Sequence, residues 1–115
     1  MREISLEEVK KKLDNGENFN LVFCMPEDCY RKMHIPGSIC LHIHPNIIKE
    51  LPQFKEDISK LMGPDDEIIL YCTDVSCNAS ITVYRILGQM DYTNFCRFSG
   101  GLREWQEAGY AVESE

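Results

Sequence analysis

The chain has 115 residues, 43% of them hydrophobic and 27% charged, which predicts one globular domain over 1–115. A chain of this size can bury roughly two thirds of the surface that its unfolded form exposes. The formal net charge of −7, with no basic cluster, excludes nucleic acid as an expected partner. No run approaches the ~20 apolar residues of a membrane helix, and Met1-Arg2-Glu3-Ile4-Ser5 lacks the apolar core of a signal peptide. The expectation is a cytoplasmic protein with reduced thiols and no membrane partner.

Ser5 and Glu8 form a capping box ahead of a first helix whose apolar stripe is Leu6, Val9 and Leu13, ended by Asn15-Gly16. Lys10, Lys11 and Lys12 lie on its solvated face. Asn20 to Cys24 reads as a buried strand delivering the chain to a loop at Pro26, and residues from Glu27 to Lys32 predict one helical turn. After the turn His34-Ile35-Pro36-Gly37-Ser38, the segment Ile39-Cys40-Leu41-His42-Ile43 predicts a second strand. From Pro45 to Met62 the pattern is helical, with a break expected at Pro52. Glu67 to Cys72 is the strongest strand. Ala79, Val83, Ile86, Leu87 and Met90 then mark a helix, Phe95 to Phe98 a last short strand, and Leu102 with Trp105 a final helix closed by Gly109. Apolar strands alternating with amphipathic helices predict a central, mostly parallel sheet covered on both faces, with ligands outside the carboxyl ends of its strands.

Of six cysteines, Cys72 is the one placed for chemistry. It ends the best strand, and Thr73, Asp74, Val75, Ser76, Cys77 and Asn78 wrap it before the next helix begins. A loop entering a helix directs unpaired N–H groups inward and adds partial positive charge, which favours a thiolate or a persulfide anion. Thr73 and Ser76 carry hydroxyls that can bond a sulfur group, and Asn78 can cap the helix. Cys77, across the same loop, can attack a persulfide or sulfenic acid on Cys72 and so act as a resolving thiol. The bland alternative for Cys72 is a small apolar residue closing a strand.

At three places the sequence resembles the rhodanese-like sulfurtransferase domains: His34-Ile35-Pro36-Gly37-Ser38-Ile39, Ile69-Leu70-Tyr71-Cys72, and Phe98-Ser99-Gly100-Gly101-Leu102-Arg103-Glu104-Trp105-Gln106-Glu107-Ala108-Gly109-Tyr110. The resemblance implies an α/β three-layer sandwich around a parallel sheet of about five strands. It also implies a cysteine, here Cys72, that takes up sulfane sulfur as a persulfide and passes it to a thiol or protein acceptor. Three departures stand out. Leu21-Val22-Phe23-Cys24-Met25 lacks the Asp and Arg common in the family, Met33 stands where glycine is usual, and the active loop has no glycine or basic residue but carries Asp74. A carboxylate near the sulfur repels anions. The expected donor is therefore a thiol persulfide or a persulfide-carrying protein, with low activity toward thiosulfate. The alternatives are a non-catalytic interaction module of the same fold and a Cys72/Cys77 dithiol redox protein.

A phosphatase-type site would require Cys-x5-Arg to clamp an oxyanion, and position 78 is Asn. Cys24-x4-Cys29 and Cys72-x4-Cys77 have ligand-like spacing, with His42 and His44 nearby, but neither pair sits on a glycine knuckle. No metal or cofactor is expected. Cys24, Cys40 and Cys96 are expected to pack in their strands, His34 to pack in its turn, and Trp105 to anchor the core.

Overall fold

The computed structural model describes residues 1–41, 47 and 49–115. Helix α1 (Leu6–Asp14) starts where Ser5 Oγ accepts the Glu8 N–H at 3.2 Å. Half of the expected capping box is replaced, because the Glu8 carboxylate accepts the Ser5 hydroxyl at 3.1 Å. Strand β1 (Asn20–Phe23), helix α2 (Glu27–Lys32) and strand β2 (Ile39–Cys40) follow. The second predicted strand stops short of Leu41, which is buried but outside β2, and its last two residues, His42 and Ile43, lie outside the described residues, as does His44.

Helix α3 (Leu51–Leu61) carries Pro52, where a break was expected, in its first turn. The ring lacks only an N–H that the first turn leaves unpaired in any case, so proline opens this helix. Strand β3 (Ile68–Tyr71), helix α4 (Ala79–Gly88), strand β4 (Phe95–Arg97) and helix α5 (Gly101–Glu107) complete the chain. Among the described residues no helix is long and apolar enough to cross a membrane.

All strand pairs are parallel, in the order β2-β1-β3-β4. Where five strands were implied, four form among the described residues. The place of a fifth is taken by a parallel bridge between Glu3 and Arg97, with Ile4 N–H to Arg97 O and Arg97 N–H to Arg2 O both 3.0 Å. β3 is buried at every residue, and alternation sends its side chains to two cores. Ile68 and Leu70 join Val22, Phe54, Ile58 and Val83 on one face. Ile69 and Tyr71 join Val9, Phe23 and Trp105 on the other.

The chain steps from β1 outward to β2, then returns past β1 to β3. The direction of winding therefore reverses between β1 and β3. In an open parallel sheet the crevice at the carboxyl ends of such a pair is where ligands bind. Here those ends deliver Cys24-Met25 and Cys72 to the same rim.

Candidate active site at the Cys72 loop

Cys72 follows β3 directly, continues the alternation of Ile68 and Leu70 toward α4, and is only 2% exposed. Its sulfur lies 3.3 Å from Ser80 Oγ and 3.5 Å from the carbonyl oxygen of Cys77. The Cys77 thiol donates to Met25 Sδ, 3.7 Å away just past the end of β1. Two thiols and a thioether thus gather at the point where the sheet reverses.

Amides of the loop and of the first turn of α4 are divided between the two cysteines. Ala79 N–H and Thr73 N–H reach Cys77, and Ser80 N–H reaches Cys72. The sequence predicts that these groups converge on Cys72 alone, whereas half-buried Cys77 receives the larger share. Burial pushes the Cys72 thiol up, and the hydrogen bonds from Ser80 offset only part of that; the neighbouring Cys77 raises it further. Burial also acts to raise Cys77, but bonds from the Cys72 thiol, Ala79 N–H and Thr73 outweigh it and bring Cys77 below the ordinary thiol value.

The loop closes through its own polar groups. Asp74 Oδ1 accepts the Ser76 N–H at 3.0 Å and the Ser76 hydroxyl at 2.6 Å, and the Asp74 carbonyl accepts Cys77 N–H at 3.2 Å. The Ser76 hydroxyl therefore serves the turn and not the sulfur, and it holds the Asp74 carboxyl below its usual range. Val75 is 74% exposed at the tip. Thr73 bonds Cys77. Asn78 occupies the N-cap of α4 without a side-chain cap bond among the described residues; its carbonyl accepts Thr82 N–H at 3.0 Å. The six loop residues thus share one segment, and among them the Cys77 carbonyl contacts the Cys72 sulfur.

From behind, α5 grips the same loop. Leu102 N–H donates to the Cys72 carbonyl at 2.9 Å and Arg103 N–H to the Thr73 carbonyl at 2.8 Å. The double glycine turns the chain into that position, with Gly101 at φ 61°. His34 and Trp105 are structural, as their sequence contexts predict. His34 is buried and stacks on Tyr30 at 3.7 Å, and the Trp105 indole donates to the Ala111 carbonyl at 2.8 Å. Cys24 and Cys96 are buried, and burial followed by Glu27 pushes half-buried Cys40 up to about 11. Among the described residues no three His, Cys, Asp or Glu side chains come together as a metal cage.

Sequence reasoning missed Ser80 and Arg97. Ser80 is fully buried in the first turn of α4, and Arg97, 6% exposed, donates through Nε to its hydroxyl at 2.8 Å. The available signal was an arginine inside the apolar run Phe95-Cys96-Arg97-Phe98, because a buried cation requires a reason.

This arrangement defines a parallel α/β domain with a thiol held at a strand-to-helix loop. The family model of the rhodanese-like domain matches residues 5–108, and the chain belongs to that family. Solved structures share the fold. The BH2092 protein of Bacillus halodurans superposes with a TM-score of 0.81 at 21% identity, covering 98% of this chain and 77% of that one. A rhodanese-related protein from Thermoplasma volcanium gives 0.75 at 21% identity, with all of both chains covered. The rhodanese-like domain of Alr3790 from Anabaena sp. gives 0.78 at 18% identity, covering 100% of this chain and 80% of that one. Among curated proteins none matches.

Proposed function

We propose that this domain transfers sulfane sulfur, with Cys72 as the carrier and Cys77 as its partner thiol. The observation that carries the reading is the placement of Cys72 at the sheet's reversal point, its sulfur 3.3 Å from Ser80 Oγ and 3.5 Å from the Cys77 carbonyl oxygen, with the Cys77 thiol in the same loop. The Cys77 thiolate is the base that takes the proton of Cys72, as an adjacent base activates a nucleophile. The Cys72 thiolate attacks the outer sulfur of a persulfide RS–SH. The S–S bond breaks, RS⁻ departs and is protonated by Cys77, and Cys72 holds the persulfide. An acceptor thiolate then attacks that outer sulfur, and Cys72 leaves as the thiolate.

The surroundings favour an organic persulfide over thiosulfate. Beside the loop is a groove of about 460 Å³ whose charged lining is Asp74, Glu104 and Glu107, with Arg103 as the one cation among the described lining residues. A dianion meets net repulsion there. The chain net charge of −7 acts in the same direction.

A second reading rests on the same pair. If Cys77 attacks the inner sulfur of the Cys72 persulfide, the products are a Cys72–Cys77 disulfide and HS⁻. The two outcomes separate by intact mass after incubation with glutathione persulfide. Transfer predicts a gain of one sulfur atom, absent in Cys72→Ala. Redox cycling predicts a loss of two hydrogens, with residues 72 and 77 joined in the peptide map. No change of mass with any persulfide donor would leave only the non-catalytic module.

A further inference from the structure

Arg97 is a cation in a place that strand packing does not explain. It pairs in register with Leu70, two residues before Cys72. Its side chain is 7% exposed, and its Nη2 has no hydrogen-bond partner among the described residues. Nη1 reaches the half-exposed carboxylate of Glu3 at 3.4 Å, the long end of the hydrogen-bond range. Nε donates to Ser80 Oγ at 2.8 Å.

Donor chemistry then fixes the direction of the next bond. A guanidinium can only donate, so the Ser80 oxygen is an acceptor in its bond to Arg97. Its own hydrogen is free to point at the Cys72 sulfur, 3.3 Å away. A hydroxyl polarised by a cation is a stronger donor, and such relays strengthen along their length in a dry interior. Both relay residues are buried, so water does little to screen the charge.

We infer that Arg97, acting through the Ser80 hydroxyl, is a positioning residue that supplies the positive charge of the Cys72 site. The inference rests on Cys72 as the reacting sulfur and adds what the active loop itself lacks. That loop has no basic residue, and the cation arrives from β4 through α4 instead. The unpaired Nη2 leaves the guanidinium with donor capacity beyond its two bonds. The other ionisable groups acting on Cys72 are Cys77 from the loop and Cys24 after β1, and Glu3 from the N-terminal bridge acts on Arg97.

The test is the pH profile of iodoacetamide alkylation at Cys72, read by fragment-resolved mass spectrometry in a Cys77→Ser background. Ser80→Ala and Arg97→Met are expected to raise the midpoint by about one unit or more, the scale of losing a nearby opposite charge. Ser80→Thr and Arg97→Lys should keep it close to the parent, and Glu3→Gln should lower it. Unchanged midpoints in Ser80→Ala and Arg97→Met, with circular dichroism like the parent, would overturn the inference. Should Arg97→Met fail to fold, Ser80→Ala and Glu3→Gln decide the matter by the opposite signs of their shifts. Alkylation needs no sulfur donor, so a chain that never takes up sulfur still reports on Arg97. A chain that loads sulfur but shows no shift defeats this inference alone.

Discussion

A Cβ placed on Gly101 would overlap the carbonyl oxygen of Cys72. The same carbonyl accepts Leu102 N–H at 2.9 Å, so the double-glycine turn and the end of β3 are in direct backbone contact. Gly101→Ala must hold alanine at φ 61°, which costs about 1–2 kcal/mol, and displaces the loop carbonyl at a further cost of about 1–3 kcal/mol. Urea unfolding should show that loss, and sulfur uptake at Cys72 should fall in the fraction that remains folded. A midpoint equal to the parent would mean that the turn does not brace the loop.

The opposed shifts of Cys72 and Cys77 give a reciprocal pH prediction. At neutral pH, Cys77 should alkylate before Cys72, because its anion is the favoured one. Removing Cys77 with Cys77→Ser takes away a neighbour that raises Cys72, so the Cys72 midpoint should move down. Removing Cys72 with Cys72→Ala takes away a bond that lowers Cys77, so the Cys77 midpoint should move up. Peptide-level rates between pH 6 and pH 11 read both. Cys40, pushed up to about 11, should react last among the partly exposed thiols that shift.

Tyr71 carries the other side of the site. Its hydroxyl accepts Ile35 N–H at 3.0 Å and bonds the Ser38 hydroxyl at 2.8 Å, tying the His34–Ser38 turn to β3. Tyr71→Phe leaves a buried N–H unsatisfied, at a cost of about 1–3 kcal/mol. Thermal unfolding should register that loss. Sulfur loading of the folded protein should stay within twofold of the parent, since the tyrosine points to the opposite core from Cys72.

Much of this molecule was legible in its residues. The apolar runs at Leu21–Phe23 and Ile68–Tyr71 gave their strands away because burial on both faces leaves no polar alternation. Pro52 misled because proline breaks a helix interior but opens a first turn, and only the hydrogen bonds distinguish the two. The Glu3–Arg97 bridge was invisible for a different reason: a pairing of one residue has no period to detect. Within the site, Cys72 and its loop could be located from spacing. How the amides divide between two sulfurs could not, because spacing along the chain does not say which N–H of a turn faces which sulfur. Arg97 lies 25 positions from Cys72 in the chain, and the two are brought together by the strand register and the Ser80 hydroxyl between them.

The central claim is that sulfane sulfur resides on Cys72. The direct measurement loads the protein with isotopically labelled glutathione persulfide, locates the label by fragment-resolved mass spectrometry, and then chases it with excess thiol. The account predicts label on residue 72, none in Cys72→Ala, and its transfer to the thiol during the chase. Label that settles on another cysteine, or that survives unchanged in Cys72→Ala, would contradict it.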